Sequence, residues 1–188
     1  EYRRQRQMCI RDRALIMNKN PIPAEVARRI WSYNPDTGEI VYLVPRGNAQ
    51  IGDRAGHYDG NKGYRRVCVF GHYVGEHRLA WLLFHGEWPS EQIDHINGVK
   101  DDNRICNLRP ASNAQNTINQ SVRRDNKLGV KGVFYEKHMK RTKRYRALIK
   151  INGKQKHLGY FLTIEEAEEA YKKASLQNHG EYAWGVGY

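Results

Sequence analysis

With 188 residues, the chain has the length of one large domain or two small ones, and we expect two small modules with modest cores. The formal net charge of +12 favours a polyanionic partner, because each Lys or Arg placed on a phosphate releases condensed counterions. No apolar run approaches the roughly 18 residues that span a bilayer, and three scattered cysteines argue against a disulfide framework or a cysteine-rich zinc site. These features predict a soluble, cytoplasmic protein that has no membrane partner.

Basic charge is concentrated in one segment of the chain. Residues 121–160 contain 13 Lys and Arg but only 2 Asp and Glu, so the rest of the sequence is close to neutral. A surface built from this segment is therefore the expected binding place for a polyanion.

Changes in composition divide the chain into five parts. Residues 1–16 are charged without amphipathic periodicity and are expected to be a non-native or disordered leader. We predict a first domain over residues 17–120, a basic linker over residues 121–128, a second domain over residues 129–183 and a tail over residues 184–188. The linker (SVRRDNKL) is polar and charged throughout and shows no periodicity.

The first domain is predicted to begin with a helix and to continue with strands. Apolar residues three or four apart from Val26 to Tyr33 indicate a short helix, which the turn residues 34–38 (NPDTG) end. The elements that follow are strands 39–44, 63–70 and 73–76 and a helix over residues 77–85. The last two strands read as a hairpin turned at Gly71-His72.

Three strands and one helix are predicted in the second domain. The strands are expected at residues 132–137, 145–151 and 154–159, and Asn152-Gly153 is a strong two-residue hairpin signal. Thr163 then caps a helix, because its side chain can accept from the N3 amide while Glu166 reaches back. The predicted fold class is α+β: a β-rich lead-in and a ββα unit, followed by a three-stranded antiparallel sheet packed on one helix.

The most informative segment is residues 93–120, IDHINGVKDDNRICNLRPASNAQNTINQ. It contains Asp94-His95, Asn107-Leu108 and Asn116, with Asp102-Asn103-Arg104 before the central Asn. In residue types and spacing it resembles the HNH (ββα-metal) nuclease motif, in the His-Asn-Asn form of phage and intron-encoded endonucleases. The resemblance implies a nuclease domain over residues 17–120 that cuts DNA with one divalent metal ion.

The resemblance assigns a role to each residue of the motif. Phosphodiester hydrolysis needs an activated water, and His95 is the expected general base because histidine titrates near neutral pH. Asp94 and Asn116 are expected to supply oxygen ligands to the metal, with Mg²⁺ as the default, Mn²⁺ or Ni²⁺ as substitutes and no structural zinc. Asn107 completes the catalytic motif by fixing the intervening loop through side-chain to backbone hydrogen bonds.

The same residues have an ordinary structural interpretation. A histidine before Asn-Gly can simply begin a hairpin, and Asn113, Asn116 and Asn119 can form a polar helix face. Their coincidence at the spacing of the motif favours the site. Arg104 and Arg109 either clamp phosphate, as DNA-binding residues, or are merely solvated, and the sequence leaves both alternatives open.

Four short motifs follow one another in the second domain: GV at residues 132–133, YRALI at 145–149, HLGYF at 157–161 and TIEEA at 163–167. In this order they resemble the Apetala-type (ethylene-response-factor) DNA-binding domain, which is known in plant regulators and also appended to phage and homing nucleases. The resemblance covers residues 129–183 and implies a β-sheet that lies in the major groove of double-stranded DNA.

Alternation along the strand at residues 145–151 predicts which side chains meet DNA. Ala147 and Ile149 are expected to pack on the helix, which leaves Arg146 and Lys150 on the outward face. Further DNA contacts are expected from the linker and from residues that flank the same surface: Arg123, Arg124, Lys131, Gln155 and His157.

The sequence therefore predicts a metal-dependent DNA endonuclease of the phage or homing type, in a bacterial or phage-infected cell. A C-terminal sheet would deliver it to duplex DNA, and a homodimer is one route to cutting both strands. Two alternatives stay open: a non-catalytic DNA-binding regulator on a degenerate HNH scaffold, and an RNA-directed nuclease or binder.

Overall fold

The computed structural model describes residues 22–61, 63–122, 125–137, 142 and 144–183. The leader expected at residues 1–16, the tail at residues 184–188 and the expected DNA contacts Arg123 and Arg124 lie outside these residues. The fold is α+β, as the sequence predicts, with four α-helices and several small antiparallel sheets in the described part of the chain. None of the described helices is long and apolar enough to cross a bilayer.

The described residues form two compact units. The first contains the residues up to His95 together with residues 99–110, and the second contains residues 96–98 and the residues from Ala111 onward. This division falls earlier than the linker expected at residues 121–128. The helix at Asn113–Asn119 therefore belongs to the second unit.

The described part of the first unit starts with helix α1 (Ala24–Ile30), followed by the antiparallel strands β1 (Trp31–Tyr33) and β2 (Ile40–Tyr42). The prediction that the helix continues to Tyr33 is wrong, because the backbone becomes extended at Trp31. The Trp31 side chain is only 1% exposed in β1. Burial of this large ring outweighs the helical spacing of the apolar residues.

Strands β3 (His57–Asp59), β4 (Tyr64–Val69) and β5 (His72–Gly75) form an antiparallel sheet in the order β3-β4-β5. The β4–β5 hairpin turns at Phe70-Gly71, one residue before the predicted position. Both turn residues have positive φ, 48° and 88°. A two-residue turn of this kind matches the right-handed twist of the flanking strands.

Helix α2 (Glu76–His85) follows β5 directly and packs on β4. It ends at Gly86, whose φ of 84° is the left-handed conformation that glycine adopts without strain. The inner face of α2 joins a hydrophobic core whose fully buried side chains include Trp31, Ile40, Val67, Leu79 and Leu82.

Strand β6 (Gln92–His95) pairs with β7 (Leu108–Ala111), and a 3₁₀ turn (Ile105–Asn107) precedes β7. Helix α3 (Asn113–Asn119) comes next. Ser112 and Gln115 form a capping box at its first turn, which fixes its start.

Lys131 binds the C-terminal end of α3. Its ammonium group donates to the carbonyl oxygens of Ile118 and Gln120, each at 2.6 Å. Partial burial lowers the pKa of Lys131 to about 8. The charge of Lys131 thus stabilises carbonyl groups at a helix end. Contact of Lys131 with DNA stays a prediction.

The second unit is built on strands β8 (Val133–Tyr135), β9 (Tyr145–Ile151) and β10 (Lys154–Phe161), antiparallel in the order β10-β9-β8. As predicted, β9 and β10 join at Asn152-Gly153, where φ is 49° and 78°. Helix α4 (Ile164–His179) packs on this sheet.

The contacts between α4 and the sheet follow the predicted faces. Ala147 and Ile149 of β9 and Ala167 of α4 are all buried. The Thr163 hydroxyl accepts from the Glu166 amide at 3.2 Å, as predicted. The Glu166 carboxylate reaches back to the Leu162 amide at 3.1 Å, one residue before the expected partner.

Gly132 occupies a position that tolerates no side chain. Its φ is 72°, and a Cβ there would lie 2.2 Å from the Tyr171 ring and 2.7 Å from the Leu148 carbonyl oxygen. We expect Gly132→Ala to lower the free energy of unfolding by about 2–4 kcal/mol, because overpacking and backbone strain add. Gly153→Ala is the matched control: φ is 78° but nothing lies within 4 Å, so its loss should be about 1 kcal/mol. Urea unfolding followed by circular dichroism checks both, and equal losses would contradict the packing account.

Candidate active site

Asp94 and His95 are consecutive residues at the end of β6, where strand alternation points them to opposite faces. Both side chains are buried, with 5% and 4% of their surface exposed. The Arg109 guanidinium, on β7, donates from Nε and Nη2 to Asp94 Oδ2 at 3.0 and 2.8 Å. This buried ion pair fixes the carboxylate next to the histidine in the strand.

His95 is held by an amide. Its Nε2 atom lies 3.0 Å from Asn103 Oδ1, and Asn103 Nδ2 donates to Glu76 Oε2 at 2.9 Å. An amide oxygen can only accept, so the hydrogen between His95 and Asn103 belongs to His95 Nε2. Neutral His95 is therefore the Nε2-H tautomer, whose basic lone pair is on Nδ1.

Glu76, the first residue of α2, has a completely buried carboxyl group. Arg65 Nε lies 3.3 Å and Arg54 Nη2 lies 3.8 Å from its Oε2 atom, as ion pairs. Burial raises the pKa of Glu76 to about 7, while the two arginines and the Asn103 bond act in the opposite direction. The arginines thus offset part of the free-energy cost of burying this carboxyl group.

The rings of His77 and Tyr64 lie against His95, with centroid separations of 5.2 and 5.9 Å. Burial, with a further effect from His95, lowers the pKa of His77 to about 3, so His77 is neutral. Burial also lowers the pKa of His95, against the opposing effects of the Asn103 bond and Asp94. His95 is therefore neutral at pH 7, which is the form that can accept a proton.

The loop at residues 102–107 is anchored to its surroundings. Asn107 Nδ2 donates to the Asp102 carbonyl at 2.7 Å, and Tyr33 Oη donates to the Asn103 carbonyl at 2.7 Å. Gly38 approaches this loop so closely that a Cβ there would lie 2.6 Å from the Arg104 amide nitrogen. The Arg104 side chain is exposed and pairs with Asp102 at 2.6 Å. These contacts set the point from which the Asn103 amide reaches His95.

The predicted site residues fall in both compact units. Asp94, His95 and Asn107 belong to the first unit, whereas Asn116, on α3, belongs to the second. Joint coordination of a metal ion by Asp94 and Asn116 stays a prediction. Arg109 is 8% exposed and pairs with the buried Asp94 carboxylate, which needs a cation. Its burial contradicts the solvated alternative, whereas phosphate contact by Arg109 stays a prediction.

Sequence reasoning missed the contributions of Asn103 and Glu76. Asn103 appears in the sequence only as the middle of Asp-Asn-Arg, and Glu76 looks like an ordinary acidic residue at a helix N-terminus. The sequence offered one signal for Glu76. This residue lies between a predicted strand and a predicted helix that both contain apolar residues, and such a position is compatible with a buried side chain.

Comparison with known proteins supplies a family for this part of the chain. Residues 74–118 match the family model described as HNH endonuclease. Over these residues the chain is similar to an HNH endonuclease domain. A curated relative, the uncharacterized HNH endonuclease L560 of Acanthamoeba polyphaga mimivirus, is 29% identical over 127 residues. The alignment covers 67% of this chain but only 64% of the relative's length. No solved structure matches the chain.

The matched segment contains most residues of the site described above. Glu76, Asp94, His95, Asn103 and Asn116 all lie within the matched segment. Arg65 and Arg54, which pair with Glu76, lie outside the matched segment, and so does the sheet of the second unit.

Three rows of side chains cross the face of that sheet opposite α4. The rows are Phe134–Arg146–Tyr160, Leu148–His157 and Lys150–Gln155. Lys150, Gln155 and His157 are exposed. Arg146 pairs with Glu136 at 2.9 Å and lies 5.9 Å from the Phe134 ring centroid. DNA contact by these residues stays a prediction.

Glu76→Gln tests the ionisation of the buried carboxyl group. The folded state raises the pKa of Glu76 to about 7 from 4.5, so the contribution of this group to stability is complete below pH 4.5 and is lost as the pH rises through 7. Gln has no charge to lose. The free energy of unfolding of Glu76→Gln relative to wild type should therefore rise between pH 4.5 and pH 8, by about 3 kcal/mol at most.

Urea unfolding of both proteins across this pH range makes the measurement. Glu87→Gln, a change at an exposed glutamate, is the matched control for the altered charge. A stability difference for Glu76→Gln that does not change with pH would show that Glu76 does not titrate in this window.

Proposed function

We propose that the chain is a metal-dependent endonuclease that hydrolyses phosphodiester bonds of duplex DNA. One observation carries the proposal: inside the segment that matches the HNH endonuclease model, His95 is buried, neutral and held by Asn103, next to the Asp94 carboxylate. A neutral histidine with a defined tautomer is suited to taking a proton from water near neutral pH.

His95 is the proposed general base. Because Nε2 carries hydrogen toward Asn103, Nδ1 is the nitrogen that takes the proton of the attacking water. The water oxygen then attacks phosphorus, and the bond to the 3′ oxygen breaks. Asn107 supports this step indirectly, since its bond to the Asp102 carbonyl holds the loop that carries Asn103.

Asp94 and Asn116 are the proposed metal ligands, with Mg²⁺ as the expected ion and Mn²⁺ as a substitute. A carboxylate and an amide oxygen are hard donors that suit such a cation. Arg109 donates to Oδ2 of Asp94 from two nitrogen atoms and so holds the carboxylate in place. When bound, the ion would polarise the scissile phosphate and stabilise the leaving 3′ oxygen.

Plasmid conversion by wild type and His95→Ala tests the assignment. With Mg²⁺ we expect nicking or linearisation by wild type, loss of activity with EDTA, and a rate lower by about 10²–10⁴-fold in His95→Ala, as is typical when a general base is removed. DNA binding should be retained. His72→Ala, at an exposed histidine of β5, is the matched control and should cleave as wild type does. Undiminished cleavage by His95→Ala would contradict the role of His95.

A second candidate is a non-catalytic DNA-binding regulator on a degenerate HNH scaffold. One observation favours it: Asp94 is already paired with the buried Arg109 guanidinium, which would compete with a metal ion for the carboxylate. Tight DNA binding without cleavage under Mg²⁺ or Mn²⁺ would support the regulator.

The sheet of the second unit is the proposed DNA-binding surface, in the manner of an Apetala-type domain. The support is its outward face, on which Arg146, Lys150 and His157 stand in neighbouring rows, and the excess of basic residues in segment 121–160. Arg104 stays a proposed phosphate contact, because its side chain is exposed beside the loop. The combination of nuclease and sheet suits a phage or homing endonuclease, and a homodimer would let it cut both strands.

Salt dependence of DNA binding tests the proposed surface. If Lys150 contacts a phosphate, Lys150→Ala should weaken binding and reduce the slope of log affinity against log salt by about 0.9. Lys173→Ala removes the same charge from an exposed position on α4 and should leave the slope unchanged. Equal effects of both substitutions would indicate general charge attraction instead of contact through the sheet. Competition by structured RNA, which should be weak, tests the preference for the B-form major groove.

A further inference from the structure

We propose that Glu76 and Asn103 form a positioning relay that fixes the tautomer of His95. The inference rests on the proposed function, because it gives His95 its basic nitrogen, but it concerns two residues that carry no part of the reaction themselves. Its basis is a chain of two hydrogen bonds, His95 Nε2 to Asn103 Oδ1 at 3.0 Å and Asn103 Nδ2 to Glu76 Oε2 at 2.9 Å.

Glu76 decides which way the Asn103 amide points. An asparagine amide can rotate by half a turn and exchange its oxygen and nitrogen. In the other orientation, Asn103 Oδ1 would face Glu76 Oε2, and two acceptors would meet in a place where Asn103 is 1% and Glu76 is 0% exposed. Buried acceptors without donors are strongly disfavoured, so the carboxyl group selects the observed orientation.

The orientation of Asn103 in turn decides which nitrogen of His95 carries hydrogen. With Oδ1 toward the ring, Nε2 must be the donor and Nδ1 the base. With Nδ2 toward the ring, Nε2 would be the acceptor, and the hydrogen would move to Nδ1. The second arrangement would remove the lone pair that the proposed mechanism uses.

The relay does not depend on the protonation state of Glu76. Asn103 Nδ2, Arg65 Nε and Arg54 Nη2 all lie against the same oxygen, Oε2. A proton bound by this carboxyl group would therefore be on Oε1, which has no hydrogen-bond partner among the described residues. Oε2 remains an acceptor in either state, and the two arginines hold it in place.

The relay positions His95 and does not move protons. An amide between the histidine and the carboxyl group cannot pass a proton from one to the other at any ordinary pH. The roles of Asn103 and Glu76 are thus orientational, unlike that of a carboxylate bonded directly to a catalytic imidazole.

The test is the ¹⁵N spectrum of the His95 ring in the full-length, metal-free protein at pH 8, with His95→Ala used to assign its signals. Wild type should show the pattern of the Nε2-H tautomer. Glu76→Met, which has a similar volume but cannot accept a hydrogen bond, should shift His95 toward a mixture of tautomers or toward Nδ1-H. Glu76→Gln is the conservative rescue, since its amide oxygen can accept from Asn103, and should restore the wild-type pattern.

Two further variants separate the relay from a general structural effect. Tyr33→Phe removes the hydrogen bond to the backbone carbonyl of Asn103 but leaves the two side-chain hydrogen bonds of the relay intact. The tautomer of His95 should therefore not change. Asn103→Leu removes the amide itself and should have the same effect as Glu76→Met, and it serves as the test if Glu76→Met does not fold. A wild-type tautomer pattern in a folded Glu76→Met or Asn103→Leu protein would overturn the proposal.

Cleavage kinetics provide an independent measure. Glu76→Met should lower kcat by at least about tenfold, because a smaller fraction of His95 has its basic lone pair on Nδ1. The KM for DNA should change less than twofold, and Glu76→Gln should recover most of the lost kcat. Equal kcat in wild type and folded Glu76→Met would also overturn the relay. If the protein does not cleave DNA at all, the proposed function fails, whereas the ¹⁵N spectra still decide whether the relay exists.

Discussion

A carboxyl group buried without solvent must be matched by donors, and the first unit is organised around one such group. The Glu76 carboxyl group accepts a hydrogen bond from Asn103, in the loop at residues 102–107. It also forms ion pairs with Arg65 on β4 and with Arg54 in the segment between β2 and β3. Removing one partner of a buried, hydrogen-bonded charge commonly costs about 3–5 kcal/mol, so these segments are tied together through one oxygen. His95 is attached to the same assembly through Asn103, and its orientation therefore depends on the fold of the whole unit.

The second buried carboxylate in the unit, Asp94, is also matched by donors, and two of these belong to one arginine. Asp94 is paired directly with Arg109 across the β6–β7 hairpin, where strand pairing brings the two side chains together. The two acidic groups thus flank His95 in different ways, one through an amide and one through the backbone of β6. The basic excess of segment 121–160 lies in the second unit, and for this reason we propose that the second unit supplies the affinity for DNA.

Features that depend on neighbouring residues could be predicted from the sequence. The Asn152-Gly153 turn, the two faces of β9 and the Thr163 cap are local properties of turn chemistry and alternation, and the structure contains them. The positions of Asp94, His95 and Asn107 in the hairpin also follow from the motif. Features that depend on distant partners could not be predicted. The helix ends before Trp31, whose side chain is buried in the core, and Lys131 binds the end of α3. Asn103 donates a hydrogen bond to Glu76, which is 27 positions away in the sequence. No periodicity in the sequence encodes these contacts.

Chemical rescue tests most directly whether His95 is the base of a nuclease. Replacement of His95 by Gly leaves a space in a buried position, where imidazole from solution can take the place of the missing ring. The account predicts that His95→Gly binds DNA but does not cleave it with Mg²⁺, and that added imidazole restores cleavage in proportion to the concentration of its neutral form. Cleavage by His95→Gly at the wild-type rate, or a folded, DNA-bound variant that imidazole does not rescue, would contradict the assignment of His95 as the general base.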